Sequence, residues 1–152
     1  MALIERGVAR TIVTDGAYAR KLHRPNTGHG LPAPSAHGPY PQDLVVEPGS
    51  ASLDELIANT KRGLLVTRLW YVRIVDQRKT ILTGMTRDGT FLIEDGKVTR
   101  GVRNLRFNQS LVDALGTCTL ANEQQRTGGY SYSLVTPAIK FDRFTFASTT
   151  DY

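Results

Sequence analysis

The stretch TGMTRDGTFLIEDGK, residues 83–97, contains the dipeptide Asp-Gly twice, seven residues apart, with the apolar block Phe-Leu-Ile between the two copies. A tight hairpin turn needs a positive φ, which Gly adopts at no steric cost and Asp tolerates because its side chain is short. We therefore predict tight turns at Asp88-Gly89 and Asp95-Gly96, with a short strand over residues 90–94 between them. The expected product is a three-strand meander in which both dipeptides are structural rather than catalytic.

The segment just before this stretch, GLLVTRLWYVRIV at residues 63–75, is the most strand-like part of the sequence. Its two alternating sets of side chains are both largely apolar, which predicts a strand covered on both faces at the centre of a sheet. Ahead of it, Ser52 and Glu55 have the spacing of a capping box. This spacing predicts a helix from residue 53 to about residue 60 or 61.

The N-terminal region combines a predicted strand over residues 7–14, where polar and β-branched side chains alternate, with a helical turn over residues 17–22. Residues 23–43 then carry five of the seven prolines, which predicts a long exposed loop. Loops of this length are usually functional or mobile, so this loop is the first segment with a claim to a role. A strand is predicted again over residues 43–48.

The C-terminal region is predicted to contain a strand over residues 97–107, a helix over residues 109–115 and a break of the extended run at Pro137. A last strand that returns to the core is predicted from the aromatic residues Phe141, Phe144 and Phe146. The whole pattern predicts a single domain over residues 1–152 of the mainly β (α+β) class. We expect an antiparallel, barrel-like or sandwich domain with two or three short helices.

The composition is that of an ordinary globular chain of 152 residues, with a net charge of +5. No apolar run reaches the roughly 20 residues that span a bilayer, and the start MALIERGVAR lacks a signal-peptide core, so we expect a cytoplasmic protein without membrane contact. Basic residues are spread along the chain with acidic residues between them, and the densest group is Arg100, Arg103 and Arg106. This group falls in predicted strand and loop, which favours a solvated surface over nucleic-acid binding.

Residues that could carry chemistry are few. His23, His29 and His37 all lie in the proline-rich loop, at spacings of six and eight that do not match a zinc site on a rigid scaffold. Cys118 is the only cysteine, so it forms no intrachain disulfide, and we interpret it as a small buried or half-buried residue rather than a nucleophile. The residues alone supply no complete catalytic set.

Three segments, RGLLVTRLWYVRIVD, LTGMTRDGTFLIEDGKV and VRNLRF, resemble the C-terminal domain of the TldD/PmbA family. NTGHG at 26–30, VEPGSASLDELI at 46–57 and the closing VTPAIKFDRFTF follow the order of that domain, so the resemblance extends over most of the chain. Members of this family are known as metallopeptidases and as modulators of DNA gyrase. The resemblance implies the C-terminal part of a two-part subunit, assembled as a dimer around a cavity in which peptides are degraded or trimmed.

The sequence departs from the active members of this family at the metal ligands. Those members carry a His-Glu-x-x-x-His motif upstream and a cysteine ligand in a glycine-rich stretch before the final strand. This chain has no such motif, and tyrosines and serines stand in the corresponding stretch GGYSYSLVTP, while Cys118 falls too early. The resemblance therefore implies the metal-free, PmbA/TldE-like half, with no cofactor in this chain. Zinc is expected in a TldD-like catalytic partner, and a homodimer is the other possible assembly.

The leading hypothesis is a non-catalytic domain that forms cavity wall and subunit interface and handles unfolded or precursor peptides. Its candidate contacts with a peptide or partner are Arg68, Trp70 and Tyr71 on the predicted central strand, and His29 in the loop. The alternative for Trp70 and Tyr71 is a packing role. The alternative functions are a regulatory protein acting on DNA gyrase or nucleic acid, and a free-standing fragment with its own peptide-binding role.

Overall fold

The computed structural model of the chain describes residues 1–129 and 132–150. Within the stretch GGYSYSLVTP, Tyr130 and Ser131 lie outside the described residues. The chain divides into two compact units, one made of residues 1–47 and 125–136 and the other of residues 48–124 and the residues from 137 onward. The assignment of residues 1–152 to one domain stays a prediction.

The described residues form ten strands and three short helices, so the mainly β (α+β) class is confirmed. The sheets of the described chain are open, and none closes into a barrel. In chain order the elements are β1 (Ile4–Glu5), β2 (Val8–Ala9), α1 (Gly16–Leu22), β3 (Asp43–Val45), α2 (Leu53–Ala58), β4 (Arg62–Asp76), β5 (Ile81–Glu94), β6 (Lys97–Gly101), β7 (Leu105–Ser110), α3 (Leu111–Leu115), β8 (Cys118–Gly129), β9 (Tyr132–Phe141) and β10 (Phe146–Thr149).

The first unit contains the hairpin of β1 and β2, helix α1 and the parallel pairing of β3 with β9. The helical turn predicted over residues 17–22 is confirmed as α1, whose first turn is capped by the Asp15 carboxylate. The strand predicted over residues 7–14 is reduced to β2. The reason is that the amide and hydroxyl of Thr14 bond to the loop residues Thr27 and Pro25 instead of to a neighbouring strand.

The long loop predicted over residues 23–43 is confirmed, because neither helix nor strand forms between α1 and β3. Its beginning is held by two threonines that bond reciprocally. The Thr14 amide donates to the Thr27 hydroxyl at 2.7 Å, and the Thr27 amide donates to the Thr14 hydroxyl at 3.0 Å. Further along, the Tyr40 amide donates to the carbonyl of His29 at 2.9 Å. The two ends of the segment between them are therefore tied together.

The main sheet of the second unit has the order β10-β7-β5-β4, and β6 also pairs with β5. The prediction that the strand at residues 63–75 is central is wrong, because β5 is central and β4 pairs with β5 alone among the described strands. The apolar pattern on both faces of β4 does not reflect burial, since its residues from Thr67 to Val75 are exposed. The small residues of β5, such as Gly84 and Thr86, allow close packing at the centre.

The two Asp-Gly pairs have different structures. Asp95-Gly96 forms the predicted turn, between β5 and β6, with φ of 47° and 77°. The turn predicted at Asp88-Gly89 is wrong, because β5 continues through this dipeptide and Asp88, with φ of 66°, forms part of a β-bulge. Two residues of β5 oppose Thr67 alone on β4, and positive φ serves here to bend a strand rather than to end it.

The aromatic core of the second unit is centred on Phe107 of β7, which is 1% exposed. Its ring packs beside Gly84, where a Cβ atom would lie 2.8 Å from the ring. Phe144 lies 5.3 Å from the rings of both Phe107 and Phe146. The contact of these phenylalanines with the Phe107 core is confirmed, but the predicted last strand through all of them is wrong, because Phe141 ends β9, Phe144 lies between strands and only Phe146 belongs to β10.

The predicted break at Pro137 is wrong, since β9 runs from Tyr132 to Phe141 through this residue. The pairing of β9 with β3 already ends at Val135, so Pro137 lies where β3 does not need its missing N–H. The strand predicted over residues 97–107 is split into β6 and β7.

Helix α2 begins with the predicted capping box, which is confirmed. The Glu55 amide donates to the Ser52 hydroxyl, and the Ser52 amide donates to the Glu55 carboxylate at 2.7 Å. The backbone hydrogen bond from Ser52, followed by the Ser52 side chain, lowers the pKa of Glu55. The helix ends at Ala58, earlier than predicted. The Lys61 carbonyl then accepts a hydrogen bond from the Asp95 amide, so at this residue the backbone already bonds to the end of β5 rather than continuing the helix.

Candidate functional site

The exposed part of β4 from Arg68 to Val75, which we call outer β4, carries three of the four predicted contact residues. Its register with β5 places Arg68 opposite Arg87, Trp70 opposite Met85 and Arg73 opposite Thr83. Residues directly opposite each other in an antiparallel pair share a face of the sheet. Arg68, Trp70 and Arg73 therefore lie on one face, together with Arg87 of the neighbouring strand.

Arg73 reaches this face because of a second bulge. Tyr71 has a φ of 55°, and Tyr71 and Val72 together oppose the single residue Gly84. Without the extra residue, the strict alternation of a strand would place Arg73 on the opposite face from Trp70. The alternation predicted for residues 63–75 therefore gives Arg73 the wrong face, and the structure corrects it. A bulky residue at positive φ is unusual, and no turn dipeptide at this point indicates the bulge in the sequence.

Guanidinium groups surround the aromatic rings of outer β4. Cζ of Arg68 lies 4.5 Å from the centroid of the Trp70 ring, and Cζ of Arg87 lies 5.4 Å from it. Cζ of Arg73 lies 4.1 Å from the centroid of the Tyr71 ring. All three distances are within the range of cation–π attraction. Arg68, Trp70 and Arg87 thus form one cluster, and Arg73 and Tyr71 form a second contact on the same strand.

The same face continues onto β7. Met85 of β5 lies opposite Arg106, and Arg106 lies opposite Ser148 of β10. We call the set Arg68, Arg73, Arg87 and Arg106, with Trp70 among them, the basic face. Asp88 is the acid that contacts it, with its carboxylate 2.8 Å from Arg68 and 3.8 Å from Arg87. Arg73, Arg87 and Arg106 are members that the sequence analysis did not include in the site.

The opposite face of outer β4 is apolar and accessible. Leu69 and Ile74 are 42% and 63% exposed. Pairing with Thr86 and Leu82 of β5 puts Leu69 and Ile74 on the face away from Trp70. Outer β4 therefore combines one basic and aromatic face, one apolar face and an edge without a partner among the described strands.

His29, the fourth predicted contact residue, belongs to the first unit. It is half-buried, and its Nδ1 lies 2.9 Å from the Thr27 hydroxyl. Because that hydroxyl also lies 2.9 Å from the Thr14 carbonyl, His29 is part of the loop anchor. The structure brings Arg68, Trp70 and Tyr71 together on one strand, and it places His29 in a local hydrogen-bond network of its own.

Zinc, which the resemblance implies for active members of the family, does not fit the described part of this chain. Among residues 1–129 and 132–150, no group of three His, Cys, Asp or Glu side chains could hold a metal ion. Cys118 is half-buried, and its sulfur lies 3.3 Å from the Leu115 carbonyl.

None of the helices in the described chain has the length and apolar character needed to span a bilayer.

The whole chain is similar to a known protein family and to solved structures. The family described as PmbA/TldA metallopeptidase C-terminal domain matches residues 1–148. TldE from Thermococcus kodakarensis is 26% identical with a TM-score of 0.81, over 96% of this chain and 33% of that protein. No curated protein sequence matches this one.

Two further structures share the fold. A proposed modulator of a DNA gyrase from Thermotoga maritima is 21% identical with a TM-score of 0.75, over 95% of this chain and 32% of that protein. A proposed modulator of DNA gyrase from Bacteroides thetaiotaomicron is 22% identical with a TM-score of 0.73, over 97% of this chain and 30% of that protein. The chain thus spans about a third of the length of each structure that it matches.

Proposed function

The chain belongs to the PmbA/TldA metallopeptidase C-terminal domain family, and on that premise we propose that it is a non-catalytic domain of a TldD/PmbA-type peptidase assembly. In this proposal it forms cavity wall and subunit interface, and outer β4 holds extended peptides in the cavity. The observation that carries the proposal is the edge of β4, a 15-residue strand that pairs with β5 alone among the described strands and whose outer half exposes large side chains. The proposed location is the cytoplasm.

An open strand edge suits peptides of many sequences. Its unpaired N–H and C=O groups can form main-chain hydrogen bonds with an extended segment, and these bonds do not depend on side chains. Each such bond contributes about 0.5–1.5 kcal/mol net, so several are needed for useful affinity. Outer β4 extends over eight residues, from Arg68 to Val75. This length supports the pairing of a short unfolded or precursor peptide.

Trp70 is the only tryptophan of the chain, so its fluorescence reports directly on outer β4. We expect an extended nine-residue peptide to change this fluorescence and to slow hydrogen exchange of the outer β4 amides. The same peptide N-methylated at every residue cannot donate main-chain hydrogen bonds from either of its edges and serves as the control. Equal binding of both peptides, or no effect on outer β4, would contradict edge pairing.

The assembly itself is tested by mixing the chain with a subunit that carries the His-Glu-x-x-x-His motif. We expect the two to co-purify, with zinc and peptide cleavage found in the complex and neither found in this chain alone. A homodimer of this chain is the alternative assembly, and it is distinguished by its mass. Stoichiometric zinc together with chelator-sensitive cleavage by the purified chain would contradict the non-catalytic role.

The second candidate function is a regulatory protein that acts on DNA gyrase or nucleic acid. The observation in its favour is the basic face, with four arginines on neighbouring strands. Binding through phosphate contacts must weaken steeply as salt rises. Tight, salt-sensitive binding of duplex or single-stranded DNA that is lost when Arg73 and Arg87 are replaced by Gln would favour this function over peptide handling.

A further inference from the structure

We propose that outer β4 selects extended segments in which acidic and apolar side chains alternate. This inference rests on the proposed pairing of peptides at the β4 edge and adds the chemistry of the preferred peptide. A segment that pairs with the edge directs its side chains alternately to the two faces of the sheet. Its chemistry must therefore match two different surfaces at once.

On the basic face, the neighbours of the incoming side chains are Arg68, Trp70 and Arg73. Arg73 forms no ion pair with any described residue, and its guanidinium contacts only the Tyr71 ring among the aromatic side chains. An acidic side chain opposite Arg73 would supply the opposite charge that this position lacks. On the other face, apolar side chains would cover Leu69 and Ile74, which are now exposed.

The net charge of the hairpin over residues 67–88 also favours an acidic partner. Residues 67–88 contain five basic side chains and two acidic ones, Asp76 and Asp88. Asp88 is already engaged by Arg68 and Arg87, and the Asp76 carboxylate accepts a hydrogen bond from the Lys79 amide at 2.9 Å. The acidic residues of this hairpin therefore do not neutralise its positive charge. A negatively charged partner is attracted from a distance and held at contact.

A second copy of the chain fits this edge poorly. Two outer β4 segments that pair edge to edge in an antiparallel manner would bring Arg68 and Arg73 of one basic face beside the same residues of the other copy. Like charges directly opposite each other are destabilising in a sheet. Charged residues and bulges on an edge strand are the usual means of preventing such self-association.

A nucleic acid fits the site less well than an acidic peptide. The Trp70 ring is already contacted by two guanidinium groups, so it does not offer an unoccupied platform for a base. The apolar face with Leu69 and Ile74 has no complement in a phosphate backbone. An alternating peptide satisfies both faces and the open edge together.

The test uses nine-residue peptides of equal length that keep the apolar positions and vary the alternate ones among Glu, Gln and Lys. A fourth peptide has the composition of the Glu peptide in an order that does not alternate. Trp70 fluorescence measures binding at low and high salt. We expect the alternating Glu peptide to bind about tenfold more tightly than the Gln peptide, because an opposite-charge pair across strands increases affinity by up to about fivefold and more than one such pair can form on the basic face.

The matched variants are Arg73→Gln at the site and Arg78→Gln in the turn. Each removes one positive charge from the same hairpin. Arg78 is exposed and belongs to neither face. We expect Arg73→Gln to remove most of the preference for Glu over Gln, and Arg78→Gln to leave most of it. Equal melting temperatures of the two variants would confirm that both are folded.

The outcomes separate the inference from the proposed function. Equal affinity for the Glu and Gln peptides, or equal loss in both variants, would overturn the acidic preference while edge pairing stands. No binding of any peptide to outer β4 would overturn both. Tighter binding of single-stranded DNA than of the Glu peptide, or dimerisation of the chain through outer β4, would also overturn the inference.

Discussion

Strands β4 and β5 lie side by side and are almost equally long, at 15 and 14 residues, but they have opposite surroundings. β5 pairs with β4, β6 and β7 and contains Thr86 and Thr90, which are 0% and 3% exposed. β4 pairs with β5 alone among the described strands, and its outer half exposes aromatic and branched side chains. The strand with more large apolar residues is thus the less buried one.

The difference shows what each composition achieves. The buried hydroxyls of β5 are satisfied within the sheet, since Thr90 donates to the Thr86 hydroxyl at 2.7 Å and the Leu105 amide donates to Thr86 at 2.9 Å. Small side chains allow this close approach, whereas large ones on β4 would prevent it. We therefore expect β5 to carry stability and outer β4 to carry contacts, and four measurements test that separation.

The largest effect is expected from Phe107→Ala, which removes the ring that packs against Gly84 of β5. Deletion of a buried phenylalanine ring costs about 3–5 kcal/mol in the free energy of unfolding, because it leaves a cavity in addition to the lost burial. Urea denaturation measures this change. A loss below about 1 kcal/mol would mean that the core is not centred on the β5–β7 pair.

The next effect is expected from Gly84→Ala. The new Cβ atom would lie 2.8 Å from the Phe107 ring and 3.1 Å from the Trp70 carbonyl, so packing must shift. Overpacking of this kind costs about 1–3 kcal/mol. Gly101→Ala in β6 is the matched control, since a Cβ there meets no atom within 4 Å. Similar melting temperatures for the two variants would contradict the close packing of β5.

A smaller effect on stability is expected from Trp70→Ala, although it removes the largest side chain of β4. Trp70 is 41% exposed, and its cation–π contacts are worth about 0.5–1 kcal/mol at an accessible site. Peptide binding, read from hydrogen exchange of the β4 amides, should weaken more than stability falls. A stability loss as large as that of Phe107→Ala would assign Trp70 to the core and remove the distinction between the two strands.

The smallest effect is expected from Asp88→Asn, which keeps a side chain that tolerates the positive φ of the bulge. The pair of Asp88 with Arg68 is about half-exposed on both sides, so it contributes about 0–1 kcal/mol. Salt near 1 M, where the screening length is about 3 Å, should remove the difference from the parent chain. A larger loss that persists in salt would indicate that the bulge depends on the carboxylate.

The sequence predicts which local elements form better than it predicts how the strands pair. The capping box of Ser52, the helix α1 and the turn at Asp95-Gly96 follow from short-range rules and are confirmed. The same local rules apply to Asp88-Gly89, but the residues of β5 on both sides of this dipeptide remain paired with β4. The dipeptide therefore bends the strand instead of ending it. Pairing partners decide between a turn and a bulge, and a dipeptide does not contain them.

The candidate site follows the same limit. Arg68, Trp70 and Tyr71 can be selected from the sequence because large aromatic and basic side chains on one strand are visible there. Arg87 cannot be selected, because it joins Trp70 only through the register of β4 with β5. Arg73 cannot be assigned to the correct face, because the bulge at Tyr71 depends on backbone geometry rather than on a residue that favours positive φ.

The tied ends of the proline-rich loop have a practical consequence for engineering. The hydrogen bond from the Tyr40 amide to the His29 carbonyl closes the segment between these residues into a loop. The entropy of closing such a loop rises slowly with its length, by about 0.6 kcal/mol for each doubling. Residues 32–38 are therefore a suitable place to insert an epitope or a fluorescent reporter while the rest of the chain keeps its structure.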